Sequence, residues 1–279
     1  MLFVFFLNET ATTEFYPLSL HDAVPISKLP DCSETFGTAA SRSHPFGWDA
    51  EGAVDLARKQ IASLIGASPK EIIFTSGSTE GINLAIKGAV EMHSAKGKHI
   101  ITTLVEHKAV LDTCKHLEKD GCEVTYLTPD TTGRITPEQV AEAMREDTVL
   151  VAIIWANNEI GTLNPIREMG AICHERGVLF FVDGTQAVGK IPVDVAADNV
   201  DLMCLSGHKI YGPKGVGCLY VRRRNPRVRI VAQMDGGGHE RGMRSGTINV
   251  PGVVGLGAAC AVAEQDLEKD AAHSTFLRE

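Results

Sequence analysis

Seven short apolar runs, at residues 71–75, 99–103, 123–127, 148–154, 178–182, 201–205 and 217–221, punctuate the middle of this sequence. Each has the length of a buried strand, and most are separated by segments with helical spacing, near 82–90, 109–117, 137–144 and 165–175. A strand that is apolar along its whole length must be covered on both faces, and strand–helix–strand crossovers in a parallel sheet supply that cover. The pattern predicts an α/β domain on a mostly parallel, seven-stranded sheet. Ahead of it, Ala53, Leu56, Ala57, Ile61, Leu64 and Ile65 mark an amphipathic helix that Gly66 closes.

At 279 residues and 44% apolar content, the chain can bury one large core and part of a second. Residues 1–35 show no sustained period and scatter Pro17, Pro25 and Pro30, so they read as an irregular N-terminal segment. The apolar residues 1–7 are too few for a signal-peptide core, lack a basic flank and run into Asn8 and Glu9; no membrane segment is expected. A net charge of −8 argues against a nucleic-acid-binding body. Arg222, Arg223, Arg224, Arg227 and Arg229 nevertheless form one basic cluster, read first as a solvated strand end and second as a docking patch for an acidic partner.

The seven cysteines are odd in number and include no Cys-x-x-Cys pair. Neither a disulfide framework nor a metal site is expected, and a reducing compartment such as the cytoplasm fits. Cys204 and Cys218 fall in strand runs and Cys114, Cys173 and Cys260 in helical ones, where a thiol packs rather than reacts.

Sheets of this kind bind ligands beyond the carboxyl ends of their strands. The residues there are Ser78 and Thr79, then Glu106 and His107, then Asn157, Asn158 and Glu159, then Asp183 and Gln186, then Ser206, His208 and Lys209. The turn Ser76-Gly77-Ser78-Thr79-Glu80 enters a helix and can offer N–H groups to an anion, although capping by Ser78 or Thr79 explains it as simply. Lys209 sits in a glycine-rich loop just past a strand, where a lysine of lowered pKa forms a Schiff base with a carbonyl substrate or with pyridoxal phosphate; a solvated loop lysine is the plain alternative. A phosphate-loop NTPase is excluded, because Pro213 follows Gly212 and no Gly-Lys-Ser/Thr appears. Asp183 suits the protonated pyridine nitrogen of pyridoxal phosphate, or a helix cap; the His107 ring suits stacking and proton handling, or capping. Together at one sheet edge, an anion-binding turn, a ring, amides, a carboxylate and a lysine meet the needs of that cofactor.

The segments Ala40-Ser41-Arg42-Ser43-His44, Phe74-Thr75-Ser76-Gly77-Ser78-Thr79-Glu80, Glu106-His107-Lys108, Asn157-Asn158-Glu159-Ile160-Gly161, Asp183-Gly184-Thr185-Gln186, Ser206-Gly207-His208-Lys209-Ile210-Tyr211-Gly212-Pro213-Lys214-Gly215 and Gly236-Gly237-Gly238-His239-Glu240-Arg241-Gly242-Met243-Arg244-Ser245-Gly246-Thr247 resemble the housekeeping cysteine desulfurases of iron–sulfur cluster assembly. The likeness runs from about Thr35 to the end.

The resemblance implies a fold-type I, class V aminotransferase-like large domain, working as a homodimer with pyridoxal phosphate on Lys209. It implies that Thr79, Ser206 and His208 hold the phosphate, with Thr247 reaching across from the other subunit. Ser78 stands where the family commonly has alanine and adds a donor. His107 would stack on the ring, Asp183 pair with its nitrogen, and Gln186 and Asn158 bond the phenolic oxygen side or the substrate. The implied reaction takes sulfur from L-cysteine, leaves L-alanine, and passes the sulfur through a persulfide on a separate cysteine to an iron–sulfur scaffold or other acceptor protein.

Two departures stand out. Leu7-Asn8-Glu9-Thr10-Ala11-Thr12-Thr13 resembles the family's opening, but Glu14 replaces its proline and residues 14–34 do not follow it. Glu279 falls within what the family makes the helix leading to a small domain, and the serine-rich loop with the persulfide cysteine and the substrate-carboxylate arginine are not among these residues. The expected organisation is an irregular segment 1–35, a cofactor-binding large domain 36–258, and the start of a linker helix 259–279, with the small C-terminal domain largely missing. Cofactor chemistry is expected without full turnover. Rival readings are a selenocysteine lyase or another class V enzyme on the same scaffold, and a non-catalytic dimerising or cofactor-binding module.

Overall fold

The computed structural model describes residues 45–278. The expectations for residues 1–35, for the motif at 40–44 and for Cys32 lie outside the described residues. Helix α1 (Pro45–Leu64) is followed by β1 (Ile72–Thr75), α2 (Ser78–Met92), β2 (His99–Thr103), α3 (Lys108–Lys119), β3 (Glu123–Leu127), α4 (Pro137–Ala143), β4 (Thr148–Ile154), α5 (Ile166–Glu175), β5 (Leu179–Asp183), β6 (Leu202–Ser206), β7 (Gly217–Val221) and α6 (Val250–Arg278). Local chemistry sets several boundaries. After α1, Gly66 takes a φ of 66° and the Ala67 N–H donates to the Ala62 carbonyl at 2.8 Å, closing the helix as its sequence predicts. At α4, Thr136 and Gln139 form a reciprocal capping box with Pro137 in the first turn.

The seven strands form one sheet in the order β1-β7-β6-β5-β4-β2-β3. From β3 to β6 every pairing is parallel, whereas β7 runs antiparallel to both β6 and β1. Only one short 3-10 turn, Gly207–Lys209, lies between β6 and β7. An antiparallel return needs no crossover, so the Lys209 loop is a hairpin connection and not a crossover. The mostly parallel, seven-stranded α/β sheet expected from the sequence is the one found.

Alternating side chains divide each strand between two cores. Phe180 and Val182 face one layer with Ile61 of α1, Met169 of α5 and Leu256 of α6. Phe181 and Cys204 face the other layer with Ile82 and Ile86 of α2 and Val110 of α3. Phe180 and Phe181 are both fully buried, each contributing about 1.5–3 kcal/mol on transfer from water. This double cover explains why the strand runs are apolar without alternation.

Two strands end one residue later than apolar content suggests. Asp183 pairs with Cys204 in register, and Ser206 with Gly217. Hydrogen-bonded pairing carries each strand one polar residue past its last hydrophobic side chain. Both residues are therefore held by the sheet itself and not by a loop.

The basic cluster divides. Arg222 is buried, donating to the carbonyls of Val200 (3.0 Å) and Val195 (3.0 Å) and pairing with Asp201 at 3.3 Å. It is neither solvated nor available for docking, while Arg224, Arg227 and Arg229 are exposed. Helix α6 is continuous from Val250 to Arg278, so the 258/259 boundary falls inside it. No helix among the described residues is long and apolar enough to cross a membrane.

Candidate active site

Three connections meet at the carboxyl edge of the sheet, after β1, β5 and β6. What brings them together is small residues. A Cβ on Gly217 would stand 2.5 Å from the Leu205 carbonyl oxygen and 2.8 Å from the Gly77 Cα, so only glycine lets the β1–α2 turn close onto the start of β7. Gly77 itself has φ 151° and ψ −179°, a backbone conformation essentially confined to glycine. Beside it lies the Ser206 Oγ, 3.6 Å from where a Cβ would be. Ser206 Oγ and His208 Nδ1 are 2.9 Å apart, and Ser78 Oγ meets Thr185 Oγ1 at 2.6 Å. Hydroxyls from two loops and a ring nitrogen thus gather around the first turn of α2.

The expected capping by Ser78 or Thr79 is not what closes this helix. Gly77 is the N-cap and offers no side chain. Instead Glu80 reaches back to accept from the Ser76 N–H at 2.8 Å, and Arg244 grips the same carboxylate at 2.7 Å. Burial opposes the charge on Glu80, but the Arg244 and Ser76 bonds outweigh it and hold the carboxyl below its ordinary range. The Ser78 hydroxyl is therefore released to Thr185, and the exposed Thr79 uses only its carbonyl, as acceptor for Asn83 Nδ2 at 3.0 Å.

Asp183 ends β5, almost wholly buried. Its Oδ1 accepts from the Thr185 N–H at 3.0 Å and from Cys204 Sγ at 3.4 Å, so its plain capping role is present as well. Glu106 lies in the loop just past the end of β2, which β4 separates from β5. Its Oε1 accepts from Thr103 Oγ1 at 2.8 Å and from the N–H of Ile154, the residue registered against Asp183, at 2.9 Å. Its Oε2 is buried with no partner among the described residues. Burial pushes the Glu106 carboxyl up to about 8, against the pull of its two bonds and with a further push from the Asp183 charge. At neutral pH Glu106 is thus a neutral acid beside Asp183, and the two buried carboxyls do not repel.

The remaining expected residues are placed as follows. His107 is the N-cap of α3, its Nδ1 accepting from the Ala109 N–H at 3.1 Å while the ring stays exposed. Asn158 is half-buried; its neighbour Asn157 is the one built into the loop, bonding the Val105 carbonyl and the N–H groups of Glu159 and Ile160. Gln186 is buried and its Oε1 accepts from Lys190 Nζ at 3.0 Å. Lys209 is half-buried and takes no hydrogen bond or ion pair from the described residues. Lys190, Lys209, Tyr211 and Asp270 line a common cleft. Burial, and then the charge of Lys209, push the Lys190 ammonium down to about 8. Thr247 is exposed and touches none of these groups within the chain, although Arg244, three residues before it, is tied to Glu80.

Lys190, Thr185 and Cys204 escape sequence reasoning. Lys190 stands four residues after Gln186, one helical turn's spacing, which is the signal that places it beside the amide.

Comparison with known proteins decides the family. The class V aminotransferase family model matches residues 8–279. The chain is a member of this family of pyridoxal phosphate enzymes. Among its class V relatives is a cysteine desulfurase IscS of Klebsiella pneumoniae, 54% identical over 274 residues, covering 98% of this chain and 67% of that one. Another is a cysteine desulfurase IscS of Salmonella arizonae, 55% identical over 273 residues with the same coverage. A solved NifS-like protein superposes with a TM-score of 0.88 at 40% identity, covering 92% of this chain and 70% of that one. A structure titled SspA in complex with cysteine follows at 0.81 and 42% identity, covering 90% and 73%. The desulfurase likeness read from the motifs thus stands, within the class V fold.

The described residues fit the cofactor on their own chemistry. Hydroxyl and imidazole groups crowd a glycine that leaves room for an anion, a buried carboxylate offers an acceptor for a protonated ring nitrogen, and a lysine with no bonded partner among the described residues lies beside a second lysine.

Proposed function

We propose that this chain is a cytoplasmic, homodimeric cysteine desulfurase, which converts L-cysteine to L-alanine and passes sulfur to an iron–sulfur scaffold or another acceptor protein. The observation that carries this reading is the convergence of Lys209, Asp183 and the Ser78–Ser206–His208 cluster at one sheet edge, in a chain whose relatives bear that activity in their names.

Bound there, pyridoxal phosphate supplies an electron sink for bond changes at the amino acid's α-carbon. Lys209 anchors it through Nζ. Ser78, Thr79, Ser206 and His208 hold its phosphate, with the first turn of α2 adding N–H groups and a favourable dipole, and Thr247 of the second subunit completing the set. Asp183, rigid at its strand end and not opposed by neutral Glu106, keeps the ring nitrogen protonated. His107 covers the ring face and exchanges protons with the substrate side. Gln186 and Asn158 donate to the phenolic oxygen side. The homodimer rests on the family resemblance, and the exposure of Thr247 leaves it free to reach another subunit's site.

The six described cysteines are all buried, and burial raises each thiol above its ordinary range. Sulfur acceptance is therefore assigned to none of them.

Incubation of the purified chain with pyridoxal phosphate, L-cysteine and a thiol reductant tests the reading. A visible cofactor band that requires Lys209 and shifts with L-cysteine is expected, with little alanine or sulfide released, since no described cysteine is placed to accept sulfur. A strong preference for selenocysteine would favour the lyase, and a cofactor band unmoved by any thiol amino acid would favour a binding module.

A further inference from the structure

Gln186 sits three residues past the end of β5, buried at 7% exposure. Its Oε1 accepts from Lys190 Nζ at 3.0 Å. An ammonium has three donors and no acceptor, so the contact dictates which way the amide faces: carbonyl toward Lys190, Nε2 away. The Nε2 group takes no partner among the described residues and is not one of the fully buried polar atoms left without one, so its two N–H donors are open to solvent or to a ligand. With the carbonyl held by Lys190, a ligand acceptor that reaches this amide meets donors alone.

Lys190 itself lines a cleft with three further titratable groups: Lys209 and Tyr211 from the β6–β7 connection and Asp270 from α6. Lys209 is close enough for its charge to act on Lys190.

We propose that Lys190 is a positioning residue of the cofactor site, whose ammonium locks the Gln186 amide so that only N–H donors are presented to an anionic oxygen of the cofactor. This rests on the pyridoxal phosphate reading above. The lock depends on charge. A neutral amine can accept an amide N–H as readily as donate, so loss of the Lys190 proton leaves both amide orientations open. Burial and the neighbouring Lys209 bring that loss to about 8 in the cofactor-free chain, so the lock holds below this pH and loosens above it. Arginine at 190 donates in the same sense and stays charged at all relevant pH.

The test uses residues 1–279 and three variants, Lys190→Met, Lys190→Arg and Lys209→Ala. In the cofactor-free protein, the side-chain amide resonances of Gln186 are followed by NMR against pH. The wild type is expected to show a transition near 8 that vanishes in both Lys190 variants and moves upward in Lys209→Ala. Pyridoxal phosphate affinity is then read from its visible absorption. Lys190→Met is expected to bind about tenfold more weakly at pH 7, as for one lost charge-assisted hydrogen bond, and Lys190→Arg to restore affinity and keep it above pH 8. A Gln186 amide that does not respond to pH or to Lys190→Met overturns the lock, whatever the cofactor does. Unchanged affinity in Lys190→Met, with the wild type binding through Lys209, also overturns it while leaving the functional reading intact. A wild type with no Lys209-dependent absorption overturns both.

Discussion

The two ends of one strand pair treat buried charge in opposite ways. Just before β6, Asp201 is closed on every side: Oδ1 meets His174 Nε2 at 3.0 Å and Arg222 Nε at 3.3 Å, and Oδ2 accepts from the Phe180 N–H at 3.0 Å. Arg222 in turn spends its other donors on the carbonyls of Val200, Val195 and Asn225. At the opposite end of β5, among the described residues, Asp183 shares only Oδ1, Glu106 keeps an oxygen without a partner, Gln186 keeps two donors and Lys209 is unbonded. A satisfied buried charge holds a fold together. An incompletely satisfied one, gathered with others at one sheet edge, is open to a ligand.

Substitutions at the two ends should separate accordingly. The largest expected effect is at Lys209. Lys209→Ala should abolish the visible cofactor band while leaving the urea midpoint close to that of the wild type, since no bond to the described residues is lost; a large stability loss would show that Lys209 belongs to the scaffold. Asp183→Asn should slow the L-cysteine-induced change in the cofactor band by about 10²-fold or more with little change in stability, because asparagine keeps an acceptor for the Thr185 N–H but cannot hold a positive ring nitrogen. Arg222→Ala should do the reverse. It strands Asp201 with a half-paired buried charge and should cost about 3–5 kcal/mol in urea unfolding, without altering the absorption of bound cofactor below the transition.

The smallest effect, and the sharpest probe of the open end, is Glu106→Gln. The folded-state pKa of Glu106 lies above its unfolded value, so its neutral form stabilises the fold fully below about 4.5, and that contribution is lost as pH rises through about 8. The wild type should lose on the order of 1 kcal/mol per pH unit across that window from this group alone. Glutamine keeps the bonds from Thr103 and Ile154 and cannot ionise, so the variant's pH–stability curve should be flatter there. Identical curves would mean that Glu106 is not buried as an acid.

Much of this division was legible in the residues. Strands at 99–103, 123–127, 148–154 and 217–221 announce themselves because apolar runs bounded by polar residues leave few alternatives. The rule that ligands gather beyond carboxyl ends then selects Asp183, Ser206 and Lys209 without any structure. What was not legible depends on direction. A count of arginines cannot tell that Arg222 turns inward to two carbonyls while Arg224 turns outward. Ser78 reads as a cap until Glu80, steadied by the distant Arg244, is seen to take over that task. Glu106 could be placed at the edge from sequence, but its neutrality comes from depth and from Asp183 on another strand. The antiparallel return of β7 was hidden for a related reason, since a glycine-rich hairpin and a loop leading to a crossover look alike in one dimension.

The claim that the carboxyl edge is an open cofactor site meets its most direct test in the visible absorption spectrum of the purified chain with pyridoxal phosphate, before and after L-cysteine, beside Lys209→Ala. The account predicts a band that requires Lys209 and shifts when cysteine is added. A chain that is folded by circular dichroism yet gives no Lys209-dependent band would contradict it.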